Sequence, residues 1–83
     1  MNKKKLLQNI IQSRGKNVLF TDFQLILESF GFRLDRTNGS HNMFKNPKIN
    51  KTINIQNIKG QAKPYQIQQF LEIVEKYKLY MEE

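Results

Sequence analysis

His41 is the one histidine among 83 residues, and it follows directly on Gly39-Ser40. An imidazole titrates near neutral pH, so it can take up or deliver a proton in the course of a reaction. A lone histidine is equally compatible with an ordinary turn or strand-end residue, and its surroundings decide between the two. Gly39 permits positive φ and lets backbone amides approach a phosphate, or it simply makes a hairpin turn. Ser40 can donate to a phosphate oxygen or merely complete that turn. Arg36, Lys45, Lys59 and Lys63 flank the turn or lie in the loop that precedes the last apolar stripe, which makes them the candidates for phosphate contacts. With no cysteine, one histidine and dispersed Asp22, Glu28 and Asp35, the chain offers no recognisable metal site. It also lacks a glycine-rich phosphate-binding loop of the nucleotide-hydrolase kind. Neither a metal nor a nucleotide cofactor is expected.

The elements that must position these residues can be read from periodicity. Leu6, Leu7, Ile10 and Ile11 form one stripe on a helix from Lys3 to Arg14, and Ser13-Arg14-Gly15 supplies its stop. Thr21 is suited to cap a second helix running to Phe30, with Phe23, Ile26, Leu27 and Phe30 on one face and Gly31 as its left-handed terminator. The period then changes to two. Phe32 and Leu34 alternate with Arg33 and Asp35, Asn38-Gly39 signals a hairpin, and His41 to Lys45 reads as the returning strand. Asn46-Pro47-Lys48 ends that strand, Thr52 to Ile55 makes a third, and Gln56 to Lys63 is a polar loop. Pro64 opens a last helix with Ile67, Phe70, Leu71, Val74 and Tyr77 on its apolar side.

The fold class expected is α+β: a three-stranded antiparallel sheet with helices on one face and an extra N-terminal helix, within a single domain spanning 1–83. Residues 21–79 form its core and 1–16 the additional helix, which should pack on the rest rather than lie on a membrane. If Phe44 faces the helices, strand alternation puts His41, Met43 and Lys45 on the open face. The alternative turns Met43 inward and buries His41 and Lys45 with it. Phe32, Phe44 and Phe70 could stack on bases, but their spacing fits core packing better.

Charge points to a polyanionic partner. Fourteen basic residues against seven acidic ones give +7. Residues 1–20 contain Lys3, Lys4, Lys5, Arg14 and Lys16 with no acid, and residues 32–63 contain seven cations against Asp35 alone. Such clustering draws nucleic acid to a surface, although it also serves solubility. No stretch approaches the roughly 20 apolar residues of a membrane span. The Lys3-Lys4-Lys5 start lacks the uninterrupted apolar run and cleavage site of a signal peptide. A cytoplasmic protein is expected.

The stretch from Phe23 onward resembles the HicA family of toxin-antitoxin toxins. The resemblance rests on Gly31-Phe32, the Gly39-Ser40-His41 turn, a strand ending Phe44-Lys45-Asn46-Pro47, the strand Thr52-Ile53-Asn54-Ile55, and Lys59-Gly60-Gln61-Ala62-Lys63-Pro64 before the last helix. It covers about three quarters of the chain. The resemblance implies a double-stranded-RNA-binding-like fold, the toxin role in a type II toxin-antitoxin system, and metal-independent endoribonuclease action on messenger RNA. It further implies inhibition by a HicB antitoxin. The family's catalytic histidine corresponds to His41, and its glycine and serine to Gly39 and Ser40. Many members carry a second histidine where this chain has Asn42, and the N-terminal helix lies outside the minimal family pattern.

On that reading His41 would deprotonate a ribose 2′-hydroxyl or protonate the departing 5′-oxygen. One histidine cannot do both in one step, and Lys45, Lys63 and Tyr65 are the available second proton carriers. Lysine is a poor base at neutral pH and is better suited to stabilising charge on the phosphorane. Two other functions remain open: a non-catalytic RNA-binding module of similar fold, and a protein-interaction domain whose positive surface meets an acidic partner.

Overall fold

The computed structural model describes residues 2–13 and 15–82. Its elements are α1 (Lys3–Gln12), β1 (Val18–Leu19), α2 (Phe20–Ser29), β2 (Arg33–Asn38), β3 (His41–Asn46), β4 (Lys51–Gln56), β5 (Gln61–Ala62) and α3 (Pro64–Tyr77). The chain is thus α+β, with β2, β3 and β4 as an antiparallel meander. The core side chains lie against one face of the meander. Phe44, Ile53 and Ile55 point from the sheet into a cluster with Phe23, Ile26 and Leu27 of α2 and Ile67 and Phe70 of α3. Phe70 sits at its centre, meeting Phe23 and Phe30 edge-on at 5.4 Å and Phe32 at 6.0 Å between ring centroids. Phe32, Phe44 and Phe70 are fully buried, so all three are core residues and none is a base-stacking platform.

The N-terminal helix contributes to the same cluster through Leu6 and Ile10. The Asn2 side chain caps it by accepting from the Lys4 N–H at 2.8 Å. Leu7 is only partly covered and Ile11 is exposed, so the four-residue stripe narrows to two buried positions. The Ser13 hydroxyl closes the helix on the Ile10 carbonyl at 2.6 Å. Arg14, the middle of the expected stop, lies outside the described residues.

The start of α2 corrects the sequence reading. The helix begins at Phe20, so Thr21 sits in its first turn and caps nothing; Leu19 holds the cap position without a side-chain bond. Tertiary pairing sets this boundary instead. Val18 and Leu19 pair with Ala62 and Gln61, and the Phe20 N–H donates to the Gly60 carbonyl at 2.8 Å. Part of the expected polar loop 56–63 is therefore a strand, β5. Gly31, at φ +91°, follows α2 in the left-handed conformation expected of it. Buried Asn46 completes that end by donating from Nδ2 to the Phe30 carbonyl at 3.1 Å.

Candidate active site

The hairpin between β2 and β3 closes through Gly39-Ser40, with Asn38 paired to His41. Gly39 has φ +61° while Ser40 has no positive φ, the arrangement of a type II′ turn with glycine in its first central position. The turn therefore sits one residue further along than Asn38-Gly39 suggests. His41 becomes the first residue of β3. Phe44 faces the helices, and His41 and Lys45 are exposed while Met43 is half-buried, as strand alternation requires of the open face.

A bulge brings Arg36 to the same face. Leu34 pairs with Phe44, but the register then shifts so that Arg36 pairs with Met43, leaving Asp35 as the extra residue. In unbroken register Arg36 would oppose Asn42 and share the helix side. Leu34, which alternation with Phe32 puts on the inward side of its strand, is 46% exposed although it opposes Phe44, because β2 is the edge of the sheet. Arg36, Asn38, His41, Met43 and Asn54 line one shallow depression on the open face. Lys45 lies two residues beyond Met43 and pairs with Arg33 and Thr52, so the depression is bordered by cations.

The imidazole is gripped from β4. His41 pairs with Gln56 and Met43 with Asn54, which puts both amide side chains on the His41 face. Asn54 brings Nδ2 to 3.0 Å and Oδ1 to 3.3 Å from the His41 Nδ1. The Gln56 Nε2 lies 3.2 Å from the His41 Nε2. Amide nitrogens donating to both ring nitrogens would require an imidazole with no proton at all. With the amides as oriented, a proton on Nδ1 is accepted by the Asn54 oxygen at 3.3 Å while Nε2 accepts from Gln56; a proton on Nε2 instead lets Nδ1 accept from the Asn54 nitrogen at 3.0 Å and requires the Gln56 amide to turn round.

Behind this grip stands Gln66 of α3, only 2% exposed. Its oxygen accepts from the Gln56 backbone N–H and its amide donates to the Asn54 carbonyl, both at 3.3 Å. One side chain thus ties the first turn of α3 to the strand carrying both amides. Asn42 occupies the other face of β3, where it bonds the Thr37 hydroxyl at 3.1 Å, the Ser40 carbonyl at 3.1 Å and the Ile55 carbonyl at 3.3 Å. Its place in the hairpin is structural.

The expected site residues fall into two groups. Arg36, Gly39, Ser40, His41 and Lys45 come together on the β2–β3 hairpin. Lys59 and Lys63 lie on the segment after β4, which enters the site where the Asn57 N–H donates to the Ser40 carbonyl at 2.9 Å. Lys59 is exposed at a turn with φ +52°, and half-buried Lys63 is the residue immediately before α3. Tyr65 is exposed in the first turn of α3. Sequence reasoning did not find Asn54, Gln56 or Gln66. Alternation with Ile53 and Ile55 assigns the first two to the open face, but not to His41. Gln66 carried a clearer sign: it is a polar residue four positions before Phe70, on the buried side of α3.

Helices on one side of a three-stranded antiparallel meander, with an open basic face around one histidine, define a small α+β protein of double-stranded-RNA-binding-like architecture. The family model described as the HicA toxin of bacterial toxin-antitoxin systems matches residues 20–75, and the chain belongs to that family. It is therefore a toxin of a toxin-antitoxin pair, and its partner is the cognate antitoxin. Helix α1 and the segment after residue 75 lie outside the match. No curated protein and no solved structure gives a match. Among the described residues no helix is long and apolar enough to cross a membrane.

Proposed function

We propose that this toxin is a metal-independent endoribonuclease of the cytoplasm that cuts messenger RNA, with His41 as its general acid–base residue, and that a HicB-type antitoxin restrains it. The observation that carries this reading is the placement of His41: exposed on the open sheet face, held through both ring nitrogens, and bordered by Arg36 and Lys45. Membership of the HicA family supports the same reaction class.

The chemistry asked of the site is transesterification. Nε2 of His41 takes the proton of a ribose 2′-hydroxyl as its oxygen attacks the adjacent phosphorus. The new P–O2′ bond forms as the P–O5′ bond breaks, leaving a 2′,3′-cyclic phosphate and a 5′-hydroxyl. The proton for the 5′-oxygen comes from a second carrier or from water. Arg36, which lines the same depression as His41, would balance charge on the phosphorane; Lys45, four residues along β3, would meet a neighbouring phosphate, and the Gly39-Ser40 turn can offer donors to a non-bridging oxygen. Lys59 and Lys63 hold the flanking backbone.

Incubating the purified toxin with single-stranded RNA in EDTA tests this directly. Fragments ending in cyclic phosphate are expected from the wild type and none from His41→Ala. RNA that shifts in mobility but stays intact would instead mark a non-catalytic binding module.

A further inference from the structure

We infer that Asn54 and Gln56 form a reversible amide clamp that positions the His41 imidazole in both of its protonation states, and that Asn54 is the member that sets which ring nitrogen works. This deepens the ribonuclease reading above and rests on it for its catalytic half. Its structural half stands independently.

An acid–base histidine must be held while it is neutral and while it is charged. A neutral imidazole has one donor and one acceptor, whereas the cation has two donors. A carboxylate partner only accepts, so it favours the cation. A carboxamide can present either its oxygen or its nitrogen by turning through 180°, and it carries no charge. Both groups in contact with the ring nitrogens here are carboxamides, Asn54 at Nδ1 and Gln56 at Nε2. Asn54 already has both its oxygen and its nitrogen within 3.3 Å of Nδ1.

The two amides differ in what they leave open. Asn54 lies with His41, Arg36 and Met43 in the wall of the depression, and its hold on Nδ1 leaves Nε2 as the basic nitrogen. Gln56 covers Nε2, the atom that must meet the ribose hydroxyl. Gln56 is therefore a placeholder that yields to substrate, and Asn54 is a positioning residue that does not. The charged groups near the same face are Arg33 and Arg36 from β2, Lys45 from β3, and the bulge residue Asp35, which shares a depression with Arg33 and Lys45. Any change in ring titration caused by altering the clamp is superimposed on their combined field.

The test combines long-range 15N NMR of the His41 ring with single-turnover cleavage in wild type, Asn54→Ala, Asn54→Asp and Gln56→Ala. The wild-type ring is expected to be mostly protonated on Nδ1 when neutral, and Asn54→Ala to lose that preference. Asn54→Asp should move the ring titration to higher pH and carry the alkaline shift into the pH profile of cleavage. On RNA, Asn54→Ala should lower kcat by about ten- to a hundredfold with KM little changed, the size of effect a misplaced reacting group produces. Gln56→Ala should alter the Nε2 resonance while leaving the preference for a proton on Nδ1 in place, because Asn54 keeps its hold on Nδ1; loss of that preference to the extent seen in Asn54→Ala would overturn the placeholder role. Ring tautomer and titration unaltered in both Asn54 variants would overturn the clamp. If the wild type cuts no RNA, the ribonuclease reading fails while the NMR arms still decide whether the clamp exists.

Discussion

At the scale of the residue, His41 is exposed yet restrained at the start of its hairpin strand. Its ring nitrogens are met from β4 and its backbone is fixed by pairing with Asn38 and Gln56. Nothing in the core rests on it. His41→Ala should therefore melt within a few degrees of wild type and keep its circular dichroism, because exposed substitutions away from the core cost about 0.5 kcal/mol or less. It should still bind RNA, yet lose on the order of 10²–10⁴-fold in cleavage rate and cease to arrest growth. Cleavage at the wild-type rate would remove His41 from the mechanism. A large fall in melting temperature would make it a structural residue. The type and position of His41 were legible in the sequence because a sole histidine after a turn glycine is conspicuous by itself. Its partners were not, since Asn54 and Gln56 stand 13 and 15 residues away and are joined to it only by strand register.

At the scale of the element, the site depends on how strands and helix are phased against one another. The bulge at Asp35 is what turns Arg36 toward His41, and it arises because β2 holds one residue more than β3 can pair. Deleting Asp35 should consequently leave Arg36 opposite Met43 in a regular hairpin. RNA affinity and melting temperature are expected to change little, an uncommon outcome for a deletion inside a strand, and loss of either would show that the local twist of the bulge matters in its own right. Gln66 works the other way, holding β4 to α3 through two backbone groups. Gln66→Leu would leave the part-buried Gln56 N–H and Asn54 carbonyl without their protein partner, at about 0.5–1.5 kcal/mol for each hydrogen bond lost. A fall in melting temperature of roughly 4–8 °C per kcal/mol follows for a domain of this size, measurable by calorimetry. The three-strand order and the terminating Gly31 followed from period and turn chemistry in the sequence. The start of α2 did not, because the pairing of β1 with β5 brings together residues 44 apart and outweighs a local cap at Thr21.

At the scale of the whole molecule, the HicA-matching region 20–75 is bracketed by segments that pack on it from both ends. After α3 the chain turns through Lys78 in a left-handed conformation, Leu79 and Met81 rest against the core, and the Glu82 N–H donates to the Ser29 carbonyl at 2.6 Å. The Lys48 ammonium meets the Glu82 carboxylate at 2.9 Å, and this hydrogen-bonded pairing lowers the Glu82 pKa and raises that of Lys48. A carboxylate with a lowered pKa stabilises the fold above its ordinary value of 4.5 and ceases to do so as pH falls through the lowered one. Glu82→Gln should thus differ from wild type near neutrality and converge with it in acid; both side chains are solvent-exposed, so the difference is small. Across the basic surface, replacing Lys59 and Lys63 together by Ala should flatten the log–log salt dependence of single-strand binding by about 1.4, at roughly 0.7 per phosphate released. An unchanged slope would take that loop out of the RNA path. At the other end, α1 brings Leu6 and Ile10 into the shared core, a contribution the stripe of apolar residues announced in the sequence even though Ile11 proved exposed. Two buried aliphatic side chains contribute about 3–6 kcal/mol as an upper bound, against a total stability on the order of 5–15 kcal/mol for a small domain. Removing residues 1–14 should therefore cost a large part of the stability without touching His41, Asn54 or Gln56. Denaturant titration should show a lower midpoint, while cleavage per folded molecule, measured well below that midpoint, stays near wild type. A truncated chain as stable as the full one would show that Phe20, Phe23 and Ile26 close over the gap unaided, and α1 would then owe its place to something other than the core.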